Sequence, residues 1–443
     1  MSEVHILGAG FSGMSLAVEL ATRGFRVQVY DERDRTGGLI ESTPLRHDTR
    51  GVCGATGAVF AERAAHTISC TPELGEFFHR LGLAPLVQSP AAKKRYFYRE
   101  RGRPGGKGLT RWPLGFCESM GLAGKFLRAK ITGSMSPEPG ETLRDWGDRV
   151  VGEAARHFLL ETAMQGIYAG DGGRLSASLL LGNIFRRTHT DMNRQKYLGI
   201  TSFQGGVASM FKAMESELIK RGGQLHLGRR IELKDFPHRP LVLAVSAMEA
   251  ARLLAAGVSN SRGATGANSS QELAQNLSGI ENVSLISITA VFPSVSRRGF
   301  GCLVPRGEGL RVLGVLFNTS TFDRGWSDWV EAWIYGGATD PEILSLDDES
   351  LLRLLTTERR KIFGLAETPT AWKITRWHSA LPAYNVTLER ILQQAAPLMR
   401  DLESREKIYL HGNFLGGIGL SKLYRRSCEL AERIQLAGNQ VRD

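Results

Sequence analysis

The chain has 443 residues, 42% of them apolar and 23% charged, and 56 basic against 45 acidic side chains leave a net charge of +11. That is the balance of a globular protein with the mass of two or three domains. It excludes a membrane-spanning chain, because no run of 18 apolar residues occurs. The positive charge suits an anionic membrane surface or anionic substrates, and no motif points to nucleic acid. Basic stretches such as Lys93-Lys94-Arg95 and 99–103 read as solvated surface. Five scattered cysteines (Cys53, Cys70, Cys117, Cys302, Cys428) without a CxxC pair argue against a disulfide framework or a metal site, and for a reducing compartment. The first strand begins at about residue 3, which leaves no room for a signal peptide and points to the cytoplasm.

Val4-His5-Ile6-Leu7 reads as a strand, Gly8-Ala9-Gly10-Phe11-Ser12-Gly13 as a tight turn opening a helix, and Phe25 to Tyr30 as a second strand ending in Asp31. Gly8 permits the turn, Gly10 lets the backbone approach a pyrophosphate, and Gly13 lets the helix pack closely on the sheet. The helix N-terminus offers free N–H groups to the phosphates. Asp31, 23 residues after Gly8, is placed to accept hydrogen bonds from a ribose. The pattern predicts a bound dinucleotide. Asp34-Arg35-Thr36-Gly37-Gly38-Leu39 follows, and this DRxGG continuation resembles the FAD-binding amine oxidase superfamily rather than NAD dehydrogenases. FAD, bound non-covalently, is therefore the expected cofactor.

Further along, Gly54-Ala55-Thr56-Gly57 lies in a glycine-dense stretch suited to close backbone passage. A helix is predicted over 72–83 with Thr71 as N-cap, and a short aromatic strand over 95–99. Helical pattern dominates from 117 to 190, broken at 134–140. A helix over 207–221 and strands over 224–231 and 240–245 return the chain to α/β alternation. Residues 257–280 read as a polar loop with a short helix near 271–277. Strand-like alternation then covers 284–292, 301–304, 312–317 and 329–334, in a mostly antiparallel sheet. Helices are expected at 348–363 and 387–402. A strand over 407–411 runs into Gly412-Asn413 and Gly416-Gly417-Ile418-Gly419, a glycine loop at a helix N-terminus that suits the flavin or its phosphates.

The expected fold class is α/β (α+β overall): a discontinuous Rossmann-type FAD-binding domain, a mixed-sheet substrate domain and a helical insertion. The boundaries are 1–72, 201–255 and 405–443 for the FAD-binding parts and 73–200 for the insertion, whose strand near 95–99 joins the substrate site. A polar loop at 256–280 and the substrate domain at 281–404 complete the chain.

Five motifs in order resemble the protoporphyrinogen oxidase family, the FAD enzymes near the end of haem synthesis. They are Gly166-Ile167-Tyr168-Ala169-Gly170-Asp171 with Leu175-Ser176, Gly299 to Pro305 (GFGCLVP), Val312-Leu313-Gly314-Val315, Leu381-Pro382-Ala383-Tyr384, and the closing glycine loop. The chain departs from the family where Val386-Thr387-Leu388 replaces a Gly-His pair, and where the loop at 51–58 lacks Glu-x-Gly-Pro.

The resemblance implies that Gly8, Gly10, Gly13 and Asp31 hold the ADP half of FAD, with Phe11, Ser12, Glu32, Arg33 and Ile231 beside it. Gly37, Gly38, Leu39 and the 54–57 loop run near the flavin, and Gly412, Asn413, Ile418, Gly419 and Leu420 close over it. Arg95 matches an arginine facing a substrate propionate, and Gly166 a glycine whose carbonyl faces the tetrapyrrole. Phe300 and Leu303 match a pair that sandwiches a pyrrole ring, and Ile334 another apolar wall.

The implied reaction is oxidation of protoporphyrinogen IX to protoporphyrin IX. Hydride passes from a meso carbon to the flavin, and dioxygen is the acceptor, giving hydrogen peroxide. No catalytic side chain is assigned. Coproporphyrinogen III oxidation is the alternative substrate reading, another FAD oxidase of the superfamily a second, a flavin-dependent sugar-nucleotide mutase a third and a non-catalytic porphyrin carrier a fourth. A ferrochelatase and a homodimer are the candidate protein partners. An apolar stripe at Phe116, Met120, Leu122, Phe126 and Leu127, beside Lys125, Arg128 and Lys130, suits peripheral contact with the cytoplasmic face of the inner membrane or packing on the core.

Overall fold

The computed structural model describes residues 3–46, 59–101, 108–185, 198–236, 240–258 and 264–439. The Gly54–Gly57 stretch lies outside them.

Short apolar runs that can be buried on both faces make parallel sheets. Three distant parts of the chain supply such runs. Strands β1 (Glu3–Leu7) and β2 (Arg26–Tyr30) flank the glycine turn, and α1 (Phe11–Thr22) connects them. The Gln224–His226, Leu241–Leu243 and Ile408–Leu410 strands complete a five-stranded sheet, entirely parallel. In space the order is Gln224–His226, β2, β1, Leu241–Leu243, Ile408–Leu410. Val4, Ile6, Val27, Val29 and Leu241–Leu243 are fully buried. The C-terminal helix Leu420–Asn439 packs on α1, where Ser427 Oγ meets Ser15 Oγ at 2.8 Å and His411 Nε2 at 2.9 Å.

The second sheet has seven strands in the order Ala371–Pro382, Asn282–Phe292, Trp329–Gly336, Gly314–Phe317, Gly301–Leu303, Arg95–Arg99, Gly108–Thr110. All neighbours are antiparallel except Gly301–Leu303 with Arg95–Arg99. Residues in register across a sheet share a face. Cys302, Val315, Trp333 and Ile288 form one such row and are buried, in the same core cluster as Leu351, Leu355 and Ile362 of the helix Asp348–Phe363. The next row, Leu303, Gly314, Ile334 and Ser287, points the other way.

The short strands Ser42–Arg46, Val59–Glu62, Ile68–Cys70 and Gly199–Ser202 were not expected from the sequence, and two longer elements also differ from expectation. Residues 257–280, expected as a polar loop with a short helix, carry a helix over Ala264–Ser278. Leu273 and Leu277, one helical turn apart, are buried with Ala274 against the helices Ala247–Val258 and Val386–Glu406, and that packing outweighs a composition rich in Ser and Asn. The strand Ala371–Pro382, twelve residues long at the sheet edge, was not anticipated. Its lysine, arginine and histidine hide the two-residue period, and its partly exposed edge position tolerates them.

Candidate flavin and substrate site

The cradle for the dinucleotide is built from backbone. Gly8 has φ +105°, and a Cβ there would lie 2.3 Å from Ala244 O. A Cβ on Gly13 would lie 1.8 Å from Gly8 O, so the helix can sit this close to the strand only without a side chain. Gly10 differs. The nearest atom to a Cβ there is Gly38 Cα at 3.9 Å, so no protein atom excludes a side chain at that position. The space in front of Gly10 fits a pyrophosphate, and a Cβ would fill it.

Phe11, Ser12 and Gly13 form the buried first turn of α1. The Asp31 carboxylate accepts from Ala9 N–H at 2.7 Å and from Arg33 N–H at 2.9 Å, fixing it at the end of β2 with lone pairs to spare. Glu32 and Arg33 are exposed, and Arg33 Nη1 donates to Gly38 O at 2.6 Å. Gly37, with φ +107°, donates its N–H to Ala9 O at 2.9 Å, which ties the 34–39 segment to the glycine turn. Leu39 is half-buried there. Arg229 N–H donates to Asp31 O, which brings the 229–231 segment beside the end of β2, and Ile231 is half-buried.

The C-terminal loop supplies the other half. Gly416 and Gly417 have φ +120° and +143°. Tyr384 Oη donates to Asn413 O and accepts from Gly417 N–H at 2.5 Å, so one side chain holds both ends of the loop. Arg426 packs on Gly416, and its buried Nη1 has no partner among the described residues, a donor the cofactor can use. Ile418 is half-buried, Gly419 is open and Leu420 starts the helix. The residues present fit FAD.

The second face of the seven-stranded sheet carries the row that alternates with its buried core row. Leu303, Leu316 and Ile334 are half-buried on this face, while Cys302, Val315 and Trp333, which alternate with them, are buried; Phe300, just before the strand Gly301–Leu303, is also half-buried. Gly166, on the helix Thr162–Tyr168, packs on Leu303 so closely that a Cβ would lie 2.5 Å from Leu303 Cδ2. A Cβ on Gly314, on the sheet, would lie 3.1 Å from the same methyl. Arg95 is exposed at the strand edge with its guanidinium 4.9 Å from the Phe300 ring centroid. The structure thus brings Arg95 to Phe300, and Gly166 and Gly314 to Leu303. Leu316 was missed by the sequence reading, although the alternation Gly314-Val315-Leu316-Phe317 carried the signal.

The two halves are joined by an aromatic pair. The Tyr384 ring lies 4.9 Å from that of Tyr168, two residues after Gly166. Titratable groups lie near the sheet face. His66 Nε2 is 3.4 Å from Ser287 Oγ, and burial pushes its imidazole down to about 4, so it is neutral at pH 7. Glu62 accepts from Ser42 Oγ and Val207 N–H, each at 2.7 Å, yet burial pushes its carboxyl up to about 7.

The sequence pattern of the flavin containing amine oxidoreductases matches residues 11–419. The chain belongs to this family. FAD is its cofactor. Among its relatives, protoporphyrinogen oxidase 2 (chloroplastic/mitochondrial) of Arabidopsis thaliana is 23% identical over 489 aligned residues, covering 97% of this chain and 93% of the relative. Human protoporphyrinogen oxidase is 25% identical over 364, covering 72% and 73%. A candidate protoporphyrinogen oxidase from Exiguobacterium sp. 255-15 superposes with a TM-score of 0.72 at 18% identity, over 98% of this chain and 99% of that one. Reduced UDP-galactopyranose mutase does so at 0.70 and 14%, over 98% and 96%. These likenesses share the family fold across different chemistries, so the substrate has to be argued from the sheet face.

Proposed function

We propose that the protein oxidises protoporphyrinogen IX to protoporphyrin IX. The observation that carries the reading is one face of the seven-stranded sheet: a row of half-buried apolar side chains, Leu303, Leu316 and Ile334, with Gly166 packed on Leu303 and the exposed Arg95 at its end. A flat apolar macrocycle with carboxylate arms matches it. Leu303, Leu316 and Ile334 would line one face of the ring, Gly166 would hold Leu303 in place on that face, and Arg95 would take a propionate through a charge-assisted bond. The chemistry FAD supplies when bound is two-electron oxidation, with dioxygen as terminal acceptor and hydrogen peroxide as product. The protein's own part is to orient the ring and keep water out. The protoporphyrinogen oxidases among the relatives support the same reading.

The test is anaerobic mixing of the flavin-loaded protein with protoporphyrinogen IX and, separately, with coproporphyrinogen III. Bleaching of the flavin spectrum, followed under air by porphyrin fluorescence, is expected. No bleaching with either compound would remove the reading.

We also propose peripheral membrane contact through the helix Phe116–Ile131, in which Ala129 alone is buried. Phe116, Met120, Leu127 and Ile131 are 57–82% exposed. At about 100° per residue they share one narrow arc of the helix. Arg128 and Lys130 stand beside it, which favours an anionic surface. No helix among the described residues is long and apolar enough to cross a membrane. Co-sedimentation with anionic but not neutral liposomes, lost in Phe116→Glu, is the expected outcome.

A further inference from the structure

Two basic runs from distant parts of the chain, Lys93-Lys94-Arg95 and Arg297-Arg298, meet on the surface, and all five side chains are exposed. Tyr96 joins them. Its ring is buried, its Oη donates to Arg298 O at 3.2 Å, and the Arg297 guanidinium lies 5.2 Å from its centroid. Phe300 N–H donates to Lys94 O at 2.8 Å. Gly299 permits this approach, because a Cβ there would lie 2.7 Å from the Tyr96 ring and 2.8 Å from Lys94 O. Arg95, Gly301 and Leu316 lie in register across three strands, so the patch borders the sheet face that carries Leu303, Leu316 and Ile334.

The patch carries almost no countercharge. Neither 88–98 nor 293–305 contains an acidic residue. Among the described residues no carboxylate lies within ion-pair distance of any of the five cations. Other surface arginines are matched: Arg35 and Arg63 by Glu41, and Arg252 by Glu232 and Glu249. The helix Asn318–Thr321, bonded to Ser89 and Gly299, leads to one acid, Asp323, whose Oδ1 takes the Gly325 N–H at 3.2 Å. Like charges held together repel, so the cluster does nothing for stability, and what it supplies is a positive field reaching about 8 Å into physiological salt.

We propose that this patch guides the substrate's carboxylates to Arg95, so that the molecule meets the sheet with its acidic edge toward the rim and its apolar edge over Leu303, Leu316 and Ile334. The proposal rests on the porphyrinogen reading. Protoporphyrinogen IX carries both propionates on one edge and only hydrocarbon groups on the opposite one, so a one-sided field turns it before contact. Arg95 takes the charge-assisted bond, while Lys93, Lys94, Arg297 and Arg298 act on the substrate from a distance. Reversing two of these charges at ~10 Å from a dicarboxylate costs about fivefold in association at 0.15 M salt and about fiftyfold at 0.01 M, from Coulomb's law in water with screening lengths of about 8 and 30 Å.

The test measures kcat/KM for protoporphyrinogen IX and for its uncharged dimethyl ester at both salt concentrations, with flavin-loaded proteins. Two double variants, Arg297→Glu with Arg298→Glu and Lys93→Glu with Lys94→Glu, keep a folding defect in one from deciding the outcome. A third, Lys212→Glu with Lys220→Glu, makes the same change in net charge on the helix Ser209–Lys220, which packs on α1 in the nucleotide-binding part. The first two should lower kcat/KM for the acid by the factors above and leave the ester unchanged. The third should alter either by no more than about twofold. Equal losses for acid and ester would show damage to the site itself and overturn the proposal, as would a loss as large in the third variant. Wild-type values in the first two variants would also overturn it and turn the patch over to a membrane or an acidic protein, with porphyrinogen oxidation left standing. Turnover of neither compound by the wild type would end the porphyrinogen reading and the proposal with it.

Discussion

Gly166→Ala isolates the contact on which the substrate face depends. The new Cβ would stand 2.5 Å from Leu303 Cδ2, against the ~3.5–4.0 Å of ordinary carbon contact, so Leu303 must move by about 1 Å or more. Leu303 cannot retreat freely toward the sheet, where Gly314 lies so near that a Cβ added there would be 3.1 Å from the same methyl. For stability the two effects nearly cancel: alanine gains about 1 kcal/mol over glycine in a helix interior, while overpacking costs roughly 1–3 kcal/mol. For the substrate face they do not cancel, because the displaced methyl enters the space a pyrrole ring needs. The variant is expected to bind FAD, melt within a few degrees of wild type, and lose about tenfold or more in kcat/KM, equivalent to ~1.4 kcal/mol. Trimming the neighbour should restore it. In a double-mutant cycle with Leu303→Val, the pair should lose less than the two singles together predict, because the shorter side chain leaves room for the new methyl. The assay is porphyrin fluorescence under air with full kinetics for all four proteins. Strict additivity would show that the contact does not transmit the effect and would refute the reasoning.

The remaining predictions concern the cofactor cradle, the rim and pH. Gly10→Ala should leave the apoprotein's melting temperature unchanged and abolish flavin absorbance, because only the ligand's space is lost. Gly13→Ala, with its Cβ 1.8 Å from Gly8 O, should lose the fold itself, and circular dichroism separates the two cases. Tyr384→Phe removes the bonds to Asn413 O and Gly417 N–H and should destabilise by on the order of 2 kcal/mol in denaturant, with weaker FAD retention; unaltered FAD affinity would separate the tyrosine from the loop. Arg95→Ala should raise KM for a propionate-bearing porphyrinogen by about tenfold or more with a smaller change in kcat, and an unchanged KM would count against a carboxylate at that rim. Glu62, raised from 4.5 to about 7 by burial, keeps its proton in the folded state after the unfolded chain has released it. Its contribution is fully present below pH 4.5 and is lost as pH rises through 7, by roughly 3 kcal/mol in all. Glu62→Gln should therefore gain on wild type as pH rises from 5 to 8, even though neutral His66 and His411 drive both proteins the opposite way at the acid end. A melting-temperature difference that stays flat across that range would rule it out.

What was legible in the sequence is what depends on local backbone chemistry. The strand, glycine turn and helix at residues 3–22 need particular residues at particular spacings, and at Gly8 and Gly13 backbone atoms of neighbouring segments leave no space for a Cβ. The helix Asp348–Phe363 and the strand Arg95–Arg99 fell on the residues anticipated, because each carries its own period and, for the helix, its own Asp347 cap. Relations across the fold were not legible. Nothing local to 264–278 says that Leu273 and Leu277 have a helical groove to fill. Nor does the Leu381-Pro382-Ala383-Tyr384 motif reveal that Tyr384 spans Asn413 and Gly417. Lys93-Lys94-Arg95 and Arg297-Arg298, two separate runs in the sequence, become one basic patch only when Tyr96 and Gly299 bring the segments together.

The fold itself is common to proteins with unrelated substrates, so the cofactor cradle cannot be the seat of specificity. Yet cradle and substrate face cannot be independent either, because transfer to a flavin requires reacting atoms held within roughly 3–3.5 Å. A glycine loop with two positive φ values has little stiffness of its own. Tyr384 supplies it by bonding both ends of the loop, and its ring then packs, tilted, against Tyr168, on the helix that carries Gly166. Gly166 in turn sets the position of Leu303 on the sheet. The path from the loop to the substrate face is thus four residues long and made of contacts that leave little room to slide. A change of substrate within this fold is accordingly expected to require alterations on the sheet face and the rim, at Leu303, Leu316, Ile334 and Arg95, while Tyr384 and the two glycines that bracket Leu303 must stay for any ring to be held against the flavin.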